Sequence, residues 1–160
     1  MSSVLVVGIS DCKFSGDTST SLTTYALGSC VGIALYDSDT RIGGLLHILL
    51  PHSVHNVRDQ MNPFMFADTG IEKMVREMMM IGASPLRMTA RLAGGANMLN
   101  SSSVLDIGRK NIQASMDILE RMKLPVRGSS VGGTLGRSMQ LDLATGKVLV
   151  RYLGGGEITL

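Results

Sequence analysis

Short apolar runs separated by glycine and polar residues predict strands in the first third of the chain. The predicted strands are residues 4–9, 21–27, 31–36 and 41–50. The polar sequence Asp-Ser-Asp-Thr at residues 37–40 predicts a tight turn between the last two. These two strands are therefore expected to run back along each other.

Two later segments repeat apolar residues at helical spacing. The first places on one face Ile71, Met74, Val75, Met78 and Met79, with Asp68 or Thr69 as the predicted cap and Gly82 as the predicted end. The second places on one face Ile112, Met116, Leu119 and Met122, with Pro125 soon after its end. The methionines of the first helix, Met74, Met78, Met79 and Met80, are expected to fill the core, with a partner-binding surface as the alternative.

The remaining pattern completes a mixed fold. Residues 87–93 predict a strand that runs into two glycines, and residues 138–143 and 147–153 predict a hairpin around Ala-Thr-Gly. Strands, helix, strand, helix and further strands predict an α+β fold, a layered α/β sandwich with two main helices covering mixed sheets. The length of 160 residues predicts a single domain over residues 1–160.

Composition excludes several classes of function. The net charge is +2 without a cluster of Lys or Arg, and three Tyr, three Phe and no Trp offer little for base stacking, so nucleic-acid binding is not expected. The longest apolar stretch, residues 42–51, is too short to span a bilayer. The start of the sequence has no basic region before its apolar run, which predicts a first strand, a cytoplasmic location and free cysteines.

The candidate nucleophile is Cys30, which follows Gly28 and Ser29 at a bend between two predicted strands. Such a bend exposes a side chain and turns backbone N–H groups, here those of Ser29 and Cys30, toward a substrate oxygen. A free cysteine packed in the core is the ordinary alternative. The candidate base is His47, in an otherwise apolar strand, because a neighbouring imidazolium would hold the cysteine as a thiolate. A structural histidine is its alternative.

The imidazole of a catalytic histidine needs a group that orients it. Thr24, on the strand entering the bend, is the candidate, and Asp37 and Asp59 are alternatives. A zinc site built from Cys30, His47, His52 and His55 is a further alternative. Their spacing matches no standard zinc site, so no metal is expected. No role is predicted for Cys12, in an expected loop, or for His52 and His55.

With these residues assembled, the chain resembles the CheD family of chemoreceptor glutamine deamidases nearly from end to end. The blocks that carry the resemblance are Leu27-Gly-Ser-Cys30-Val, Gly43-Gly-Leu-Leu-His47, Leu50-Pro51, Ala67-Asp68, Ala93-Gly-Gly-Ala-Asn97-Met98, Ile107-Gly108 with Asn111, Gly132-Gly133, Gly136-Arg137-Ser138, Thr145-Gly-Lys and Gly154-Gly-Gly-Glu157.

The resemblance implies that Cys30 is the nucleophile, His47 the general base and acid, and Thr24 the orienting residue. It implies a fold similar to the catalytic domain of cytotoxic necrotizing factor toxins, and no cofactor. The implied partners are methyl-accepting chemotaxis receptors, through their cytoplasmic helices, and a CheC-type phosphatase. Asn97, Met98 and Leu99 are candidate partner-binding residues.

The sequence leaves two other functions open. A binding module would regulate a CheC-type phosphatase and receptors with little catalysis. A cysteine protease or small-molecule amidase would use the same Cys30 and His47 on a different substrate.

Overall fold

The computed structural model describes residues 2–53, 62–100, 102 and 106–160. Its strands are β1 Ser3–Val7, β2 Asp11–Ser15, β3 Thr20–Leu27, β4 Val31–Asp37, β5 Ile42–Ile48, β6 Met88–Gly94, β7 Val126–Val131, β8 Arg137–Asp142, β9 Val148–Tyr152 and β10 Glu157–Thr159. Its helices are α1 Ala67–Met80 and α2 Ile107–Arg121, with a short 3-10 helix, Pro63–Met65, before α1.

The strands form two five-stranded sheets. Sheet I has the order β1-β3-β8-β9-β10, and sheet II has the order β2-β5-β4-β6-β7. The pairs β1/β3 and β6/β7 are parallel and the other pairs are antiparallel, so both sheets are mixed. The predicted α+β layered sandwich with two main helices is confirmed.

Alternate residues of β4 and β5 face different layers, and every residue of the two strands is buried. Ile33 and Leu46 belong to an apolar cluster shared with α1 and α2. Ala34 and Leu45 belong to a second cluster shared with sheet I. Sheet II is therefore the middle layer, between sheet I and the helices, which explains why the sequences of β4 and β5 are almost wholly apolar.

The structure corrects the prediction that Cys12 lies in a loop. Cys12 is in β2, the strand at one edge of sheet II, where it pairs with Leu46 and packs against the cluster beneath the helices. Edge strands β2, β7 and β10 lacked a clear apolar alternation in the sequence, because an edge strand buries less of its surface. The strand predicted over residues 4–9 ends earlier, at Val7.

The first helix follows its predicted face only in part. Met74 and Met78 are fully buried, as expected, but Met79 and Met80 are 48% and 85% exposed, so the prediction that they fill the core was wrong. They lie on the solvent side because the other face of α1 already covers sheet II. Gly82, with φ of +114°, follows the helix end as predicted.

The predicted caps of α1 were also wrong. The helix begins after Phe66, and Asp68 and Thr69 lie inside its first turn. The Asp68 carboxylate instead accepts hydrogen bonds from the backbone N–H and the hydroxyl of Ser53, at 3.1 and 2.9 Å. Among the described residues, both helices fall short of the length and apolar content that a membrane-spanning helix needs.

The packing of α2 predicts an unusual result for Gly108→Ala. Replacing a helical glycine by alanine normally stabilises a protein by up to about 1 kcal/mol. A Cβ at Gly108 would lie 2.5 Å and 2.6 Å from the carbonyl oxygens of Gly95 and Ala96. We therefore expect this substitution to lower the free energy of unfolding by about 1–3 kcal/mol in chemical denaturation.

Gly70→Ala in α1 is the matched control, since an added Cβ there meets the end of the Leu46 side chain at 3.1 Å. Its effect should be clearly smaller. Equal stabilisation by both substitutions would contradict the close contact between α2 and residues 95–96.

Candidate active site

The β4–β5 hairpin brings the candidate nucleophile and base to one face of sheet II. Gly32 pairs directly with His47, and Cys30 lies two residues before Gly32. Residues two apart on a strand face the same side, and diagonal neighbours are roughly 7–8 Å apart. Cys30 belongs to the apolar cluster that faces sheet I, which fixes this side. The residue of β4 directly opposite His47 is glycine, so β4 places no side chain beside the imidazole there.

Thr24 reaches the same site from the opposite sheet. Its Oγ1 lies 2.7 Å from Nδ1 of His47 and 2.7 Å from the carbonyl oxygen of Val7. A carbonyl only accepts, so the Thr24 hydroxyl donates its single hydrogen to Val7. The hydroxyl oxygen must then accept from His47, which places the ring proton on Nδ1. The neutral imidazole therefore carries its lone pair on Nε2.

The second ring nitrogen of His47 is Nε2. Nε2 of His47 is buried and has no hydrogen-bond partner within the described part of the chain. A buried polar atom without a partner is costly, and such atoms often have a functional reason. With Nδ1 occupied by Thr24, Nε2 is the atom available to take a proton from a group on the Cys30 side.

Two acidic side chains of the described residues that could orient the ring bind other groups instead. Asp37 lies at the other end of β4 from Cys30, where its carboxylate binds Arg87 at 2.9 Å and 3.0 Å. Asp11 pairs with His47 across β2 and β5, but its carboxylate binds Lys13 at 2.7 Å and the N–H of Cys12 at 2.8 Å. Asp59 lies outside the described residues.

Burial favours the neutral forms of both candidate side chains. It lowers the pKa of His47 from 6.5 to about 4 and raises the pKa of the Cys30 thiol. Near neutral pH the site therefore holds a thiol and a neutral imidazole. This differs from the expectation of a thiolate held by an imidazolium, because the burial of both side chains disfavours their charged forms.

Hydrogen bonds hold the bend before β4 through three consecutive carbonyls. The oxygens of Gly28, Ser29 and Cys30 accept from the N–H of Ala96 at 2.8 Å, Nδ2 of Asn111 at 2.9 Å and the N–H of Gly95 at 2.8 Å. Within the described residues, the N–H groups of Ser29 and Cys30 donate to no backbone carbonyl. Both N–H groups therefore stay candidate donors to a substrate oxygen.

The candidate partner-binding residues lie beside this bend. Asn97, Met98 and Leu99 line a cavity of about 420 Å³ together with Ser29. The side chains of Met98 and Leu99 are 52% and 89% exposed. Nδ2 of Asn97 lies 3.4 Å from a carboxylate oxygen of Asp106. All three therefore border the candidate site on an open surface.

Cys12, one of the residues without a predicted role, does not face this site. His52 is exposed, and Cys12 faces the helices, on the other side of sheet II from His47. His55 lies outside the described residues. Within the described ranges, no group of three or more His, Cys, Asp or Glu side chains is arranged to hold a metal ion.

Comparison with known proteins identifies the family of the chain. The family described as CheD chemotactic sensory transduction matches residues 49–152 of the chain. This chain belongs to the CheD family. The matched segment begins two residues after His47, so it shows the family of the chain without covering Cys30, His47 or Thr24.

Relatives of known sequence extend the likeness over nearly the whole chain. A protein of Caldanaerobacter subterraneus subsp. tengcongensis is 40% identical over 97% of this chain and 96% of its own length. A Desulforamulus reducens protein is 44% identical over 92% and 90%, and a Thermococcus kodakarensis protein is 42% identical over 95% and 94%. Each of the three carries the name probable chemoreceptor glutamine deamidase CheD.

One solved structure shares the fold of this CheD family member. The crystal structure of Neisseria meningitidis protein NMB0706, of the DUF152 family, superposes with a TM-score of 0.51 at 11% identity. The match covers 83% of this chain and 63% of that chain. At this level of identity the likeness concerns the fold alone.

Sequence reasoning missed two groups at the site. The Val7 carbonyl receives the Thr24 hydroxyl, and the Asn111 side chain binds the Ser29 carbonyl. A carbonyl acceptor leaves no signal in a residue type. Asn111 did leave one, since it stands in a block shared with the CheD family, but its position on a helix gave no indication of contact with the bend.

The buried imidazole predicts a specific loss of stability in acid. Because the pKa of His47 is about 4 in the folded protein and 6.5 when unfolded, the unfolded chain binds more protons between these values. The contribution of neutral His47 is complete above pH 6.5 and is lost as pH falls toward 4. Through this loss we expect the free energy of unfolding to fall by about 2–3 kcal/mol between pH 7 and pH 4.

Denaturation across this range should show a smaller loss in His47→Gln than in the wild type. His52→Gln is the matched control, because that side chain is exposed. An identical pH dependence in the wild type and His47→Gln would mean that the imidazole is not buried in the neutral form.

Proposed function

We propose that this CheD family member hydrolyses specific glutamine side chains of methyl-accepting chemotaxis receptors to glutamate. Cys30 is the nucleophile, His47 the general base and acid, and Thr24 the orienting residue. The observation that carries the proposal is the Thr24–His47 contact of 2.7 Å, which leaves Nε2 unpaired on the face that Cys30 shares. The substrate follows the names of the relatives, which are called chemoreceptor glutamine deamidases.

The first half-reaction is the release of ammonia. The Cys30 sulfur attacks the carboxamide carbon while its proton passes to Nε2 of His47. The N–H groups of Ser29 and Cys30 bind the oxygen as it becomes negative. The imidazolium returns the proton to the departing nitrogen, so ammonia leaves and a thioester remains. During this step the Thr24 hydroxyl keeps accepting from Nδ1–H of His47. This hydrogen bond stabilises the imidazolium that forms for a short time.

The second half-reaction restores the enzyme. A water molecule gives a proton to Nε2 of His47 and attacks the thioester carbon, and the carbon–sulfur bond breaks as the Cys30 thiol recovers that proton. The product is a glutamate side chain. Because the resting pair is neutral, charge separation occurs only when a substrate carbonyl occupies the site, which limits side reactions of the thiol.

A protein substrate suits the surface around the nucleophile. A groove of about 580 Å³ starts at Gly28 and is lined by exposed apolar side chains, among them Tyr25, Met98 and Leu153. A contiguous apolar surface of this kind is typical of protein–protein contact. A small free amide would not need it, so this groove favours a macromolecular substrate over a small-molecule amidase function.

The binding-module alternative concerns the same surface. A CheC-type phosphatase, which the family resemblance implies as a partner, would contact Asn97, Met98 and Leu99 and thereby cover the approach to Cys30. Regulation would then act by competition with the receptor.

The proposed receptors present cytoplasmic helices, so we also propose that the chain works in the cytoplasm.

The proposal predicts graded losses of receptor deamidation. Cys30→Ala should abolish the +1 Da mass change of a receptor glutamine and the matching release of ammonia. Thr24→Val keeps the shape of the side chain but removes the acceptor for Nδ1, so kcat should fall by about 100-fold. Thr24→Ser, which keeps the hydroxyl, should retain most of the activity.

Mass spectrometry of a receptor cytoplasmic fragment measures both products. Undiminished deamidation by Cys30→Ala would end the enzymatic proposal. Cleavage of the receptor backbone without deamidation would instead support a protease.

The open surface predicts a separate binding defect. Leu99→Asp should weaken binding of the receptor fragment and of a CheC-type phosphatase by at least about 10-fold, because a charge would be buried in each interface. Leu86→Asp is the matched control: Leu86 is 96% exposed but belongs to the segment that contacts Asp37, at the far end of β4. Equal binding by the two variants, measured by titration calorimetry, would place the contact surface elsewhere.

A further inference from the structure

Asn111 joins the two strand ends that carry the reacting side chains. Its Nδ2 donates to the carbonyl oxygen of Ser29 at 2.9 Å and to that of Leu49 at 3.1 Å. Ser29 directly precedes Cys30, and Leu49 lies two residues after His47. Asn111 itself is fully buried on the face of α2 that packs on sheet II. One side chain thus spans the start of β4 and the end of β5.

The direction of this carboxamide is determined by its partners. Both are carbonyl oxygens, which only accept, so the NH₂ group and not the oxygen must face them. The Asn111 Oδ1 is buried without a hydrogen-bond partner in the described part of the chain. An unpaired buried oxygen is destabilising. An apolar residue would avoid this penalty, but it would also take the donor away from the carbonyls of Ser29 and Leu49.

The bond to Ser29 determines where the Cys30 N–H points. The Ser29 carbonyl and the Cys30 N–H belong to one peptide unit, which is planar and trans, so the two groups point in opposite directions. Asn111 draws the carbonyl toward α2. The N–H is thereby turned away from α2, toward the face that holds the Cys30 sulfur and His47. The same N–H lowers the pKa of the Cys30 thiol, although burial has the larger, opposite effect.

We propose that Asn111 is a positioning residue for deamidation: it fixes the Ser29–Cys30 peptide so that the Cys30 N–H faces the developing oxyanion, and it holds Cys30 in register with His47. The inference rests on the proposed function, because it assigns a part to Asn111 in that reaction. The Asn111 side chain itself touches neither the substrate nor the reacting atoms.

The alternative is that Asn111 only holds α2 against sheet II. Ser115 separates these roles. It is equally buried, lies one turn further along α2, and its hydroxyl donates to the backbone carbonyl of Asn111 at 2.7 Å. Ser115→Ala therefore removes a buried hydrogen bond from the same helix without affecting the bend at Ser29 and Cys30.

The experiment compares Asn111→Ala, Asn111→Asp and Ser115→Ala in a Cys12→Ala background, in which Cys30 is the only thiol. For each variant kcat and KM for deamidation of a receptor fragment are measured, together with the rate of Cys30 alkylation by iodoacetamide across pH. Asn111→Ala should lower kcat by about 10–100-fold with KM changed less than about threefold. A misplaced donor weakens binding of the transition state more than binding of the substrate.

Asn111→Asp should lower kcat at least as much, because a carboxylate would face two carbonyl oxygens. In both Asn111 variants the alkylation profile should shift to higher pH, as the Cys30 N–H no longer supports the thiolate. Ser115→Ala should keep kcat within about threefold and leave the profile unchanged. A kcat in Asn111→Ala within threefold of the parent, or an equal loss in Ser115→Ala, would overturn the proposal.

If Asn111→Ala does not fold, Asn111→Gln takes its place, since it keeps the carboxamide but displaces it by one methylene group. We expect it to lower kcat at least fivefold, and an unchanged kcat would overturn the proposal. Failure of the proposed function would look different: the parent protein would not deamidate the fragment at all. The alkylation profile would then still report whether Asn111 orients the Cys30 peptide.

Discussion

The hydroxyl of Thr24 is the interaction on which the site depends, because it connects the two sheets through atoms whose roles are fixed. Its hydrogen goes to the Val7 carbonyl within sheet I, and its oxygen receives Nδ1–H of His47 from sheet II. The tautomer of His47 follows from this arrangement and needs no charged partner. A neutral orienting group also explains how the ring remains neutral when buried, since a carboxylate at the same place would raise the pKa of the imidazole.

A neutral resting pair has a consequence for how the reaction is driven. Many cysteine hydrolases store a thiolate beside an imidazolium, whereas here burial disfavours both charges. In the proposed reaction, the free energy for separating charge would come from the bound substrate, through the N–H groups that receive its oxygen. On this proposal the placement of those groups affects the rate, and so do the residues that fix the bend.

The sequence was sufficient for the central strands and insufficient for what surrounds them. β4 and β5 are covered on both faces, so their apolar runs and the turn between them predicted the hairpin and made adjacency of Cys30 and His47 possible. Their register was not predictable, because it depends on where the turn closes. Edge strand β2 escaped prediction since half-buried residues show little alternation.

The same limit explains why the contact of Thr24 with His47 could not be derived from the sequence, and why Asn111, although part of a block shared with the CheD family, was given no role. Both act across large separations in the chain, 23 residues for Thr24 with His47 and 82 for Asn111 with Ser29. Local periodicity carries no information about such contacts. What it does show is a polar residue on a buried face: Asn111 follows Gly108 by three positions, on the side of α2 that approaches residues 95–96. A buried carboxamide needs hydrogen-bond partners, and Asn111 finds them in the backbone carbonyls of Ser29, next to the proposed nucleophile, and of Leu49.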